Sequence, residues 1–172
     1  IEHVQLLAPA DLPRLAQLGV VASMQPIHAV SDIEMAEVYW GARCQGAYAW
    51  RSLLRAGTTL AFGSDCPVET LDPLAGIHAA VTRRRMDGTP AGGWRPEETI
   101  AVYDAVRAYT WGAAYAAGEE GGKGSLAEGR VADLVVLSDD IFGLPGEALP
   151  EARVVGTVCG GRLAYSSGEI GW

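Results

Sequence analysis

A chain of 172 residues, 49% apolar and 20% charged, has room for one cored domain or a piece of a larger one. Lys and Arg total 13 against 21 Asp and Glu, a net charge of −8 that argues against a nucleic-acid partner. No apolar run approaches the roughly 20 residues a membrane span needs, so no membrane partner is expected.

The chain opens at Ile1-Glu2-His3 without an initiator Met or a basic leader, on what reads as the end of a strand, so an upstream portion is expected. Leu12, Leu15 and Leu18 recur at helical spacing, predicting a helix from Leu7 to Leu18 that stops at Gly19. Val20 to Met24 reads as a buried strand. Ser31-Asp32-Ile33-Glu34 has capping-box form and predicts a helix from Asp32 to about Tyr39. A further helix is expected from about Ala47 to Ala56, ending at Gly57. Thr58 to Phe62 is the next strand, apolar on both faces as a parallel sheet requires. Pro73 opens a helix to about Arg84, at the favoured first position. After a Gly- and Pro-rich loop from Met86 to Pro96, Thr99 to Ala117 reads as one helix, or two with a break near Gly112.

Strand and helix thus alternate, which implies βαβ units and an α/β fold with a parallel sheet. Beyond Gly118 the helical period is lost. Ala132 to Leu137 and Val154 to Tyr165 read as strands around a polar loop, Asp139 to Ala152. The expected division is a body over residues 1–118 and a β-rich tail over 119–172.

Three polar clusters each follow a predicted strand: His3; then Gln25, Pro26 and His28; then Ser64 and Asp65. Histidine and aspartate converging from several strand ends suit Zn²⁺ or a similar divalent ion. A hydrogen-bonded histidine and a helix-capping aspartate are the plainer alternative. Ser64 reads as a brace for the Asp65 turn, Cys66 as a small packing residue, and Glu69 as an exposed loop carboxylate. His78 reads as a helix-face residue. Trp94 reads as a packing aromatic or a lid, and Arg83-Arg84-Arg85 as the solvated end of a helix. Cys44, Cys66 and Cys159 form no CxxC pair, so no disulfide framework is expected and a reducing cytoplasm is the default compartment.

Ile1-Glu2-His3, Met24-Gln25-Pro26-x-His28 and Gly63-Ser64-Asp65-x-Pro67-Val68-Glu69 together resemble the amidohydrolase superfamily. The similarity is to its family 3 branch, which includes N-substituted formamide deformylases. It continues through Gly92-Gly93-Trp94, Ala108-Tyr109-Thr110 and Gly112-Ala113-Ala114-Tyr115. It ends with Gly124-Ser125-Leu126, Ala132-Asp133-Leu134-Val135-Val136-Leu137 and Val158-x-Gly160-Gly161-Arg162.

The resemblance implies the last three strands of a (β/α)8 barrel, followed by a small β element of a composite β-sandwich domain. It implies a metal-dependent hydrolase of carbon–nitrogen bonds in non-peptide or cyclic amides, acting on a small-molecule substrate with one or two divalent ions, zinc foremost. His3 and Asp65 match metal ligands, and Asp65 matches the proton carrier as well. Gln25 and His28 are expected to touch substrate. An HxH pair is absent from this chain, so two ligands alone are expected here and the chain by itself is expected to be inactive. The alternative is a non-catalytic remnant that pairs with a complementary chain. Open strand edges would favour that, or a homo-oligomer.

Overall fold

Prolines set where the first helix begins. The structure, a computed structural model describing residues 1–169, divides the predicted Leu7–Leu18 helix into a 3-10 turn at Pro9–Asp11 and helix α1 at Leu12–Gln17. Pro13 has no N–H to give an α-helical bond, so it sits in the first turn and the helix begins just before it. Gly19, at φ 64°, turns the chain into strand β1, Ala22–Met24.

Where a loop was expected, Pro26–Ser31 form a short helix, α2, with Pro26 at its start. Helix α3, Ile33–Trp40, follows close to its predicted span, but the capping box does not form. Ser31, the expected cap, is instead the last residue of α2, and Asp32, which stands at the N-cap in its place, makes no side-chain cap because its carboxylate accepts from the Tyr48 hydroxyl. A 3-10 segment, Gly41–Gly46, leads to helix α4, Trp50–Arg55. This helix starts later than predicted because Ala47 pairs with Leu6 in an antiparallel bridge and Tyr48 turns at φ 49°.

Strand β2, Leu60–Phe62, lies parallel to β1 with Ala22 opposite Leu60 and Met24 opposite Phe62. Glu2 adds a parallel bridge to Ser23 on the other side of β1, where the end of a strand was expected. Helix α5, Pro73–Thr82, is capped by Asp72, whose carboxylate accepts from the Leu74 N–H. The predicted 99–117 helix begins later, as α6, Val102–Arg107. It passes through a π turn, Ala108–Gly112, into α7, Ala113–Ala116. The π turn lies against β2: a Cβ on Gly112 would stand 2.1 Å from the Leu60 carbonyl oxygen, so only glycine allows this approach.

The tail forms a separate antiparallel sheet of β3, Leu134–Leu137, β4, Val154–Cys159, and β5, Arg162–Ser166. The single strand expected over Val154–Tyr165 is a hairpin turning at Gly160-Gly161, both at positive φ. A 3-10 segment, Gly146–Glu151, packs in the loop before it. The last residues of the predicted tail, 170–172, lie outside the described residues.

The core gathers Met24, Trp50, Leu53, Phe62, Ile77 and Leu149 with their neighbours. One expectation fails here. Arg83 is not a solvated helix end but fully buried, its guanidinium 4.2 Å from the Trp50 ring centroid and 5.3 Å from that of Trp94. It donates to the carbonyls of Trp94 and Tyr48, and burial pulls its pKa down to about 9. Only Arg84 and Arg85 behave as surface residues, pairing with Glu147 and Glu34. Among the described residues no helix is long and apolar enough to cross a membrane.

Candidate metal centre

Three chain segments leave the parallel strands at one end and converge. His3 follows the Glu2 bridge, and both His3 (φ 67°) and Val4 (φ 44°) adopt left-handed backbone. For β-branched Val4 this is a strained conformation of the kind that functional sites hold. His28 is the third residue of α2, the helix that directly follows β1. Asp65 lies three residues past β2, also left-handed at φ 57°. The Gly63 N–H bonds to the Met24 carbonyl at 3.1 Å, which ties the Asp65 turn to the end of β1. The Ser64 hydroxyl accepts from the Cys66 N–H at 3.4 Å, in keeping with the expected brace.

These segments bring one ligand atom each from His3, His28 and Asp65 within 4.8 Å of one another. His28 Nε2 is 3.8 Å from an Asp65 oxygen, too far for a hydrogen bond. That nitrogen is buried and has no hydrogen-bond partner among the described residues. The His3 and His28 rings lie 5.8 Å apart between centroids. His3 Nδ1 lies 2.9 Å from the Gln25 side-chain oxygen, and in the tautomer that donates to that oxygen Nε2 keeps its lone pair.

An unpartnered buried imidazole nitrogen beside a second imidazole and a carboxylate fits a divalent cation. Two bonds of about 2.1 Å at a tetrahedral angle place donors roughly 3.4 Å apart, close to the spacing between His28 and Asp65. All four predicted site residues therefore meet at one end of β1 and β2. The sequence reading counted two ligands. The fold brings a His28 nitrogen into the same candidate cluster, and the signal for it was already present, a histidine in the polar segment after a strand.

The remaining residues fall elsewhere. His78 is buried in α5 outside this cluster, and burial lowers its pKa. Trp94 is buried in the core with its indole N–H on Glu37, which favours packing over a lid. Cys66 is exposed rather than packed, because the turn that aims Asp65 carries it outward. Glu69 is half-buried rather than exposed.

A match to the amidohydrolase family spans residues 1–165. The chain is 34% identical over 164 residues to putative amidohydrolase YtcJ of Bacillus subtilis (strain 168), covering 95% of this chain and 31% of that protein. It is 30% identical over 167 residues to N-substituted formamide deformylase of Arthrobacter pascens, covering 96% of this chain and 30% of that protein. It also resembles the crystal structure of an uncharacterized metal-dependent hydrolase from Pyrococcus horikoshii OT3. The TM-score is 0.74 and the identity 28%, over 85% of this chain and 30% of that one. The fold is shared with zinc-complexed atrazine chlorohydrolase TrzN of Arthrobacter aurescens TC1 at TM-score 0.69 and 24% identity, over 96% of this chain and 35% of that one. The chain spans about a third of the length of the curated relatives it matches.

Proposed function

This chain belongs to the amidohydrolase family, and from that premise we propose that it is the C-terminal part of a metal-dependent hydrolase cleaving carbon–nitrogen bonds in non-peptide or cyclic amides. Residues 1–118 would supply the last three strands of a (β/α)8 barrel, with the Glu2 bridge, β1 and β2 in that order. Residues 119–172 would contribute to a small β-sandwich. The observation that carries the reading is the convergence of His3, His28 and Asp65 on one point past the strand ends.

His3 and Asp65 would hold a divalent ion, zinc being the one bound in the related TrzN fold, and the orphaned Nε2 of His28 makes it a third donor. When bound, such an ion makes water a better nucleophile near neutral pH and polarises a carbonyl. Asp65 accepts a proton from the attacking water at a carboxylate oxygen. It returns that proton to the nitrogen as the carbon–nitrogen bond breaks, acting first as base and then as acid. Gln25 holds His3 through its oxygen, which leaves its Nε2 hydrogens for a small-molecule substrate's carbonyl.

The chain by itself is expected to be inactive, with upstream residues completing the ligand set. The exposed edge strand β5 favours pairing with that portion or with a second copy. Three free cysteines suit a cytoplasmic setting. The test is metal content and amide hydrolysis of the full-length polypeptide before and after Asp65→Ala. Loss of both is expected; unchanged metal and turnover would sink the assignment. About one tightly held ion on residues 1–172 alone would instead show that these donors suffice.

A further inference from the structure

We propose that Asp32 is a positioning residue for the His3, His28 and Asp65 cluster, clamping the segment that carries His3 to the helix that carries His28. The inference rests on the metal reading above and concerns residues to which that reading gives no role. Asp32 ends α2, and its N–H bonds the His28 carbonyl at 2.9 Å, one helical turn back. Its carboxylate oxygen accepts from the Tyr48 hydroxyl at 2.5 Å and from Gln5 Nε2 at 3.4 Å. Gln5 Nε2 also donates to the Tyr48 hydroxyl oxygen at 3.1 Å, closing a triangle two residues beyond His3.

Tyr48 is the fixed post of this triangle. Its side chain is 1% exposed and sits among Trp40, Trp50 and Trp94 at 6.2 to 6.5 Å between ring centroids. Its N–H bonds the Gln5 carbonyl and its own carbonyl accepts from buried Arg83, both at 3.0 Å. Burial, and then Asp32, push the phenol pKa upward, so Tyr48 acts as a donor. The clamp therefore connects a rigid aromatic core to the His3-Val4 backbone, which is left-handed at two non-glycine residues. Released, that backbone would relax toward an ordinary conformation and carry His3 away from His28. Groups bonded directly to a metal-ligating side chain typically govern metal affinity by about 10–100-fold, and Asp32, which acts one step further out, belongs at the lower end of that range.

The experiment is zinc affinity by competition with a chromophoric chelator, on the full-length polypeptide, with the apo-protein melting temperature measured alongside. Asp32→Ala is expected to weaken zinc binding several-fold, up to about tenfold, and Asp32→Asn, which keeps an acceptor for Tyr48, to weaken it less. If Asp32→Ala does not fold, Tyr48→Phe and Gln5→Leu carry the same expectation at several-fold. A parent-like zinc affinity in these variants, with only the melting temperature changed, overturns the proposal and leaves Asp32 a structural residue. His3→Ala separates the two levels. If it too binds zinc like the parent, the metal reading fails; if it alone loses zinc, only the clamp fails.

Discussion

All three residues of β2 are buried, whereas all five of β5 are exposed. The parallel pair β1 and β2 is short, with three residues in each strand, and has little backbone ladder of its own. It is held by what covers it: Trp50 and Tyr109 pack edge-on against Phe62, and the π turn sits on Leu60. The tail sheet is the converse. Its antiparallel ladder is longer, while Val135, Leu163 and Tyr165 each stay about half exposed. The strands that lead into the candidate site are thus fixed by the packing that covers them, and the strands remote from it are fixed mainly by their own hydrogen bonds.

Substitutions sharpen this contrast. The largest stability effect is expected at Phe62, 4% exposed, where Phe62→Ala should cost about 3–5 kcal/mol in denaturant unfolding. A loss under about 1 kcal/mol would mean that β2 is not held by its covering residues. Gln25→Leu should next weaken zinc binding about tenfold with little change in stability, because it removes the oxygen that fixes the His3 ring. Parent-like affinity would show that the His3 tautomer is set by something else.

A smaller effect is expected from pH. His78 is buried, and its pKa lies below the ordinary 6.5 chiefly because burial disfavours the charged ring. Below that value the unfolded chain binds a proton that the folded chain resists. The stability due to neutral His78 is therefore complete above about pH 6.5 and declines as the pH falls toward the folded value. Urea midpoints followed downward from pH 7 should fall less steeply in His78→Gln than in the parent, and equal slopes would rule this out. The smallest effect belongs to the tail: Val135→Thr, at a half-exposed position, should change stability by no more than about 0.5 kcal/mol. A loss of 2 kcal/mol or more would reveal a covered face on β3 and break the contrast between the sheets.

Much of this was legible in advance. The apolar runs placed β1 and β2, and the polar residues just after them, with His3 after the opening strand end, named His3, Gln25, His28 and Asp65 as a constellation. What misled were features whose local pattern had a distant competitor. Ser31 and Glu34 spell a capping box, but Ser31 is drawn into α2 and the Tyr48 hydroxyl takes the Asp32 carboxylate at the N-cap. Arg83 begins a basic run, yet two carbonyls and two indole rings draw it inward. Cys66 resembles a small core residue until the turn that presents Asp65 carries it to the surface.

By itself, then, the sequence determined the alternation of strand and helix, the change to a β-rich tail, and the family to which the chain belongs, because periodicity and motif order are local properties. Only the tertiary structure decided that His28 joins His3 and Asp65 in one donor set, and that Asp32, Tyr48 and Gln5 form a triangle beside it. Those facts depend on residues up to 62 positions apart being brought together, and distance along a chain carries no record of that closure.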